Sequence, residues 1–137
     1  MIISVDFDNT LAVDGFPYVG KTVPHAIASI KELFKHHTLI LFTCREGAEL
    51  ECAKQLLKDE GIYHCFDAFN EWPRSEQIAW GSNPRKIVGT LNVDDKNVGC
   101  PLIKLDSGEY VVNWPMVMDL IHLQCLTGNP VCGTRED

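Results

Sequence analysis

The sequence predicts an α/β protein in which helices cover both faces of a mostly parallel sheet. Three short strand-like runs, at 1–5, 38–43 and 87–93, are separated by segments with helical periodicity. The first two are almost entirely apolar, which is typical of strands buried on both faces. Alternation of strands and helices along a chain favours parallel pairing with helical crossovers, and hence a three-layer sandwich.

The first strand ends in two carboxylates separated by one residue, Asp6 and Asp8, followed by Asn9 and Thr10. Carboxylates at a sheet edge are costly unless they are paired, hydrogen-bonded or bound to a cation. The chain is already turning here, and we expect backbone N–H groups of the turn to be free to face an anion. A strand followed by a polar turn produces the same local pattern, so these residues need support from the rest of the chain.

The next segments predict a hairpin, a helix, a strand and a second helix. Residues 11–23 combine turn residues with enough alternation for a small hairpin flap above the two acids. A helix is expected from Pro24 to about His37, because proline fits a first turn and apolar residues then recur at helical spacing. The strand at 38–43 ends in a hydroxyl, and the helix after it is stopped by Gly61.

The second half of the chain adds weaker signals and a second acidic strand end. The run at 87–93 leads directly into Asp94 and Asp95. The other expected elements are a strand at 66–69, a loop with a short helical turn at 70–83, a strand pair at 102–105 and 110–112, and a helix at 114–126.

Length and composition predict one domain, residues 1–126, with a flexible tail at 127–137. The net charge of −7 disfavours broad binding to nucleic acid or acidic membranes, and it admits nucleic acid only as the carrier of a phosphorylated end. No apolar run approaches the ~20 residues that span a bilayer, so a cytoplasmic protein is expected. The six cysteines lack C-x-x-C spacing and are expected to be free thiols.

Four features stand in a fixed order: D-x-D-x-T after the first strand, a threonine after the second, a lysine in a polar turn, and Asp-Asp after a later strand. In a doubly wound sheet these strand ends meet at one edge, where ligands bind. The chain resembles the phosphatase branch of the haloacid dehalogenase superfamily, with its four motifs at 6–10, 39–43, Lys86 and 92–95. The resemblance implies a Rossmann-like core and a phosphomonoester hydrolase.

The residues can be assigned roles in such a hydrolase. Asp6 is the candidate nucleophile that forms an aspartyl-phosphate. Asp8 is the candidate proton donor to the leaving oxygen and the acceptor from the attacking water. Magnesium is expected on Asp6, on the backbone carbonyl of Asp8 and on Asp94. Asp95 is an accessory candidate, which orients metal-bound water or Lys86 or lies in an ordinary turn.

A bound phosphate group needs hydrogen-bond donors as well as a cation. Asn9, Thr10, Thr43, Cys44 and Lys86 are the candidate phosphate-binding residues. The hydroxyl of Thr43 and the amide of Cys44, near a helix N-terminus, are suited to the non-transferring oxygens. Lys86 would balance the charge of the nucleophile and the phosphoryl group, with the neighbouring arginine at 85 as its rival.

The gaps between the motifs are filled by core elements, so no cap domain is expected, and the site is covered only by the flap or by another subunit. The substrate class is a phosphorylated small molecule or an accessible terminal phosphate, and the oligomeric state is open. A receiver domain also combines acids, a threonine and a lysine, but there the acidic pair comes first rather than last. A non-catalytic phosphate- or metal-binding module on the same fold is the other alternative.

Overall fold

A computed structural model of the chain describes residues 1–128. The elements are β1 (Ile2–Val5), β2 (Ala12–Gly15), β3 (Tyr18–Thr22), α1 (Ala26–Phe34), β4 (Thr38–Leu41), α2 (Gly47–Asp59), a 3-10 turn (Tyr63–Cys65), β5 (Phe66–Phe69), α3 (Arg74–Trp80), β6 (Leu91–Val93), β7 (Leu102–Lys104), β8 (Tyr110–Val112) and α4 (Trp114–Thr127).

The central sheet has four strands in the order β5-β4-β1-β6, and every pairing is parallel. After β1 the chain builds outward on one side through β4 and β5, and then returns to the other side of β1 as β6. The strand order therefore reverses at β1. Ligands in open α/β sheets bind beyond the carboxyl ends of the strands at such a reversal, which places Asp6 at the expected position.

The sheet is covered on both faces, which confirms the predicted three-layer α/β sandwich. Alternate residues of β1 and β4, such as Ile3 and Leu39, pack into the main core together with apolar side chains of α1, α2 and α4. On the opposite face, Ile40 contacts a smaller cluster with Ile87 and Trp72 from the segment that contains α3. Leu39, Ile40 and Leu41 of β4 are fully buried, which accounts for the apolar sequence of this strand.

Two hairpins stand outside the sheet. The first, β2–β3, is the predicted flap and is antiparallel with a register shift between Ala12 and Asp14. The second, β7–β8, is bonded to the first turn through the N–H of Val112, which donates to the carbonyl of Asn9 at 2.9 Å. The flap is the only insertion of note between the motif elements of residues 1–128, and no cap domain is present there.

Most predicted elements are confirmed, but several are shorter than expected. The helix expected from Pro24 to about His37 spans Ala26–Phe34, and the strand expected at 38–43 ends at Leu41. The run at 87–93 forms a strand only from Leu91, because Ile87 turns into the smaller cluster. The helix predicted to end near residue 126 continues to Thr127 and stops at Gly128, whose φ of 69° is the left-handed conformation of a helix end. The rest of the predicted tail, 129–137, lies outside the described residues. Among those described, no helix has the length and hydropathy needed to cross a membrane.

Candidate functional site

The register of two parallel strands brings Asp6 and Asp94 together. In β1 and β6, Val5 pairs with Val93, so the two aspartates leave the sheet side by side. The N–H of Asp6 extends this pairing, because it donates to the carbonyl of Val93 at 2.9 Å. Carboxylates that are far apart in the sequence are therefore neighbours at one edge of the sheet.

Asp6, Asp94 and Asp95 form a carboxylate cluster in which one oxygen of each residue lies within 4.8 Å of the others. Burial and the nearby charge of Asp94 raise the pKa of Asp6 from 3.8 to about 7, against hydrogen bonds from the Phe7 N–H and the Thr10 hydroxyl. Such a shift signals an unneutralised charge in a low-dielectric site. The cluster therefore favours a proton or a cation.

Thr10 links the two acidic segments of this cluster. Its hydroxyl donates to Oδ2 of Asp6 at 3.1 Å and accepts from the N–H of Asp95 at 3.4 Å. Burial, and then a hydrogen bond with Asp94, raise the pKa of Asp95. Asp95, predicted as an accessory residue, is thus a member of the cluster. Thr10 is fully buried, so its hydroxyl fixes the carboxylates rather than facing solvent.

The expectation of free backbone donors in the first turn is wrong for two residues. The N–H of Asn9 donates to the carbonyl of Ala12 at 2.6 Å, and the N–H of Thr10 donates to the carbonyl of Phe7 at 3.2 Å. The turn closes on itself because β2 begins at Ala12, directly after it, and Ala12 pairs with Asp8. Asn9, with a φ of 58°, also accepts from the N–H of Asp14 and thereby anchors the flap.

Thr43 and Cys44 lie at the end of β4, beside the end of β1. Thr43 is buried, and its hydroxyl accepts from the N–H of Arg45 at 3.1 Å, which leaves the hydroxyl proton available to a ligand. Its own N–H donates to the side chain of Asn70, which in turn donates to the carbonyl of Arg45. The N–H of Cys44 donates no hydrogen bond within residues 1–128, so it fits the predicted role of an anion donor.

Arg45 is a site residue that the sequence interpretation missed. Its guanidinium forms a two-point ion pair with Asp8, with Nη2 at 2.7 Å from Oδ1 and Nε at 2.9 Å from Oδ2. The Arg45 side chain is 1% exposed and that of Asp8 is 27% exposed. The hydrogen bond to Asp8 also raises the pKa of Arg45, so the guanidinium is always charged.

Lys86 is not brought to the carboxylates by any described contact. It is exposed in the loop between α3 and β6, where its carbonyl accepts from the indole N–H of Trp72 at 2.8 Å. Its ammonium makes no ion pair with the acids of the described chain, and the neighbouring Arg85 is also exposed. The role of Lys86 therefore stays a prediction.

The cluster fits a hard divalent cation. Three converging carboxylates supply the oxygen ligands that Mg²⁺ prefers. Burial first, and then the charge of Asp94, raise the pKa of Asp6, and a bound cation would offset both effects. The carbonyl oxygen of Asp8 accepts no hydrogen bond from any residue up to 128, so the predicted backbone ligand is not used elsewhere. Asp6, Asp94 and Asp95, with this carbonyl, are the residues that would hold the ion.

Fold and site together define an α/β protein of Rossmann-like architecture with an acidic cluster at the reversal of its strand order. The chain is similar to a conserved protein from Bacteroides thetaiotaomicron of known structure, with 32% identity over 90% of this chain and 91% of that chain and a TM-score of 0.72. The chain belongs to the same family as that protein. Comparison with protein-family models found no match, and comparison with curated proteins found none either.

Proposed function

We propose that the protein is a magnesium-dependent phosphomonoester hydrolase of the haloacid dehalogenase type. The convergence of Asp6 and Asp94 at the ends of two adjacent parallel strands is the observation that carries this proposal. A phosphate dianion does not approach an uncompensated carboxylate cluster, whereas a cation held there makes the site attractive to phosphate. The acidic net charge of the chain is compatible with this local preference.

In the first step, an Asp6 oxygen attacks phosphorus in line with the leaving group. The new bond joins Asp6 to phosphorus, the phosphorus–oxygen bond to the leaving group breaks, and Asp8 gives its proton to the leaving oxygen. Bound Mg²⁺ supplies positive charge that lowers the repulsion between nucleophile and phosphate. The Thr43 hydroxyl and the Cys44 amide, neither of which donates a hydrogen bond within residues 1–128, would donate to the non-transferring oxygens.

In the second step, water attacks the phosphorus of the aspartyl-phosphate. Asp8, now ionised, takes the proton of that water, and Asp6 leaves as a carboxylate with release of inorganic phosphate. Thr10 holds the Asp6 carboxylate through both steps by its 3.1 Å hydrogen bond. Asp8 suits both duties because it is partly exposed and each carboxylate oxygen keeps a lone pair beyond the one used by Arg45.

The substrate class follows from the lack of a cap. Within residues 1–128 the flap is the element that covers the strand ends, so an open site remains beside it. Such a site suits a phosphate at the end of a bulky group or a small phosphomonoester that is weakly discriminated. This substrate class belongs to the proposal, as does cytoplasmic action.

The experiment is turnover of 4-nitrophenyl phosphate with and without Mg²⁺. We expect the wild type to hydrolyse it only with the metal, and Asp6→Asn to lose at least about a thousandfold of kcat. Asp67→Asn, which changes an exposed aspartate in β5, is the matched control and keeps wild-type rates. Absence of turnover across a broad panel of phosphomonoesters would overturn the enzyme and favour the non-catalytic binding module.

A further inference from the structure

Arg45 satisfies every donor of its guanidinium inside the protein. Besides the two bonds to Asp8, Nη2 donates to the carbonyl of Tyr18 at 2.7 Å, and Nη1 donates to the carbonyls of Pro17 at 3.1 Å and Glu49 at 3.3 Å. These contacts account for all five N–H groups that an arginine carries. A residue so completely bonded has one orientation, and it imposes that orientation on its partners.

The partners belong to three different elements. Pro17 and Tyr18 form the tip of the flap between β2 and β3, Glu49 lies in the first turn of α2, and Asp8 follows β1. The guanidinium also contacts two rings, with its central carbon 5.0 Å from the ring centre of Phe7 and 5.3 Å from that of Phe16. Phe7 is buried, and Phe16 is an exposed flap residue.

We infer that Arg45 is a positioning residue that sets the carboxylate of Asp8 and couples it to the flap. This inference rests on the proposed function, since Asp8 acts there as the proton donor. A carboxylate on a short side chain rotates freely unless both oxygens are held, and a two-point pair fixes its plane. Because the same guanidinium binds the flap tip, displacement of the flap displaces the proton donor.

Lysine at this position cannot reproduce the arrangement. It has three donors on a single nitrogen and lacks the planar fork that matches a carboxylate. Arg45→Lys therefore keeps a positive charge near Asp8 but releases its orientation and at least two of the other acceptors. The defect should fall mainly on protonation of the leaving group, because no hydrogen bond or ion pair within residues 1–128 joins the Arg45 side chain to Asp6, Asp94 or Asp95.

The test compares two substrates that differ only in the need for that proton. Nitrophenolate departs readily without protonation, whereas phenolate departs poorly, so kcat/KM for phenyl phosphate depends more strongly on a placed acid. We expect Arg45→Lys to lower kcat/KM for phenyl phosphate about tenfold more than for 4-nitrophenyl phosphate. Arg74→Lys, on the exposed first residue of α3, is the matched control and leaves the ratio unchanged.

A second variant and a second readout keep the test decisive if Arg45→Lys does not fold. Phe16→Ala removes an exposed ring above the guanidinium, and it should shift the substrate ratio in the same direction by about threefold. Tyr110→Ala, an exposed ring beside a lysine on the other hairpin, is its control. Hydrogen exchange of the backbone amides of residues 16 and 18–20 should rise in Arg45→Lys, or in Phe16→Ala if the former is unfolded, while exchange in β1 stays unchanged.

If Arg45→Lys lowers kcat/KM equally for phenyl phosphate and 4-nitrophenyl phosphate, the inference is overturned even if hydrogen exchange in the flap rises. Arg45 would then have a structural role alone. An unchanged substrate ratio together with unchanged flap exchange also overturns it. Failure of the proposed function is a separate outcome, since the wild type would then hydrolyse neither ester.

Discussion

Asp6 and Asp94 leave adjacent parallel strands in register, because Val5 pairs with Val93 and the N–H of Asp6 continues the ladder to the carbonyl of Val93. The sheet therefore forces like charges together, at a cost that the fold offsets only in part through Thr10. Functional sites often carry such unfavourable local arrangements, because the ligand supplies the missing interaction. The predictions below follow from this relationship and from the roles proposed for its neighbours.

Replacement of Asp6 by asparagine should stabilise the metal-free protein. A pKa of about 7 means that ionisation of Asp6 costs more free energy in the folded protein than in the unfolded chain, and this cost is present in full above neutral pH. Removal of this charge should raise the free energy of unfolding by about 1–3 kcal/mol at alkaline pH, less any loss from the Thr10 hydrogen bond. Urea unfolding without metal measures it, with Asp67→Asn as the control, and a destabilised Asp6→Asn variant contradicts it.

The raised pKa of Asp6 also predicts how the stabilisation of the protein by Mg²⁺ depends on pH. Between the unfolded pKa near 3.8 and the folded value of about 7, the folded protein holds a proton that the unfolded chain has released. The contribution of Asp6 to the free energy of unfolding therefore falls as pH rises through that window, and remains unfavourable above it.

Mg²⁺ takes the place of that proton. The increase in Tm on addition of Mg²⁺ should be larger at about pH 8 than at about pH 5.5. Differential scanning fluorimetry at the two pH values measures the difference, and Asp6→Asn should remove most of it. Equal increases in the wild type at both values would show that the metal does not bind at this cluster.

The acid/base role of Asp8 is tested by two replacements. Asp8→Ala should retain Mg²⁺ binding, since only the backbone carbonyl of Asp8 is a predicted ligand, and should lose turnover. Alanine also leaves the buried Arg45 guanidinium without its carboxylate, which is destabilising. Asp8→Asn keeps an oxygen for Arg45 but cannot transfer a proton, and it should also lose about 100-fold or more of kcat.

Calorimetric titration with Mg²⁺ checks that the metal site is intact in both Asp8 variants. Turnover of phenyl phosphate at the wild-type rate in Asp8→Asn would remove Asp8 from proton transfer.

Replacement of Lys86 and replacement of its neighbour Arg85 are expected to affect the kinetics differently. If Lys86 balances the phosphoryl charge when substrate binds, Lys86→Ala should raise KM and lower kcat together, by about 10-fold or more in kcat/KM. Arg85→Ala is the matched control and should change little. The reverse result would assign the cation to Arg85 instead. Steady-state kinetics with 4-nitrophenyl phosphate and Mg²⁺ separate the two.

Elements of the fold were predictable where the apolar pattern of the sequence matches the burial of the same residues in the folded protein. β1 and β4 were predictable because both faces are buried, which leaves a short, almost entirely apolar run. β6 was predicted too long because Ile87 is apolar for a different reason, namely its contact with Ile40 on the far face of the sheet. An apolar residue shows burial, and it does not show whether its backbone belongs to a strand.

The candidate site also contains residues that could be predicted from the sequence and one that could not. Asp6, Asp8, Asp94 and Thr43 were predictable from the ends of strands, since topology brings those ends together. Arg45 was not, because Asp8, Pro17 and Tyr18 are distant from it in sequence. In addition, three of its acceptors are backbone carbonyls, which leave no trace in residue type. Its position directly after Thr43 and Cys44, which follow β4, was the available signal.

The nucleophile is the central claim, and a structure with a phosphoryl analogue tests it most directly. Crystals of the wild type grown with Mg²⁺ and beryllofluoride should show beryllium bonded to a carboxylate oxygen of Asp6, with the metal beside it on Asp94. Beryllofluoride bonded to any other side chain, or absent from Asp6 while Mg²⁺ is bound at the cluster, would contradict an aspartyl-phosphate mechanism at this site.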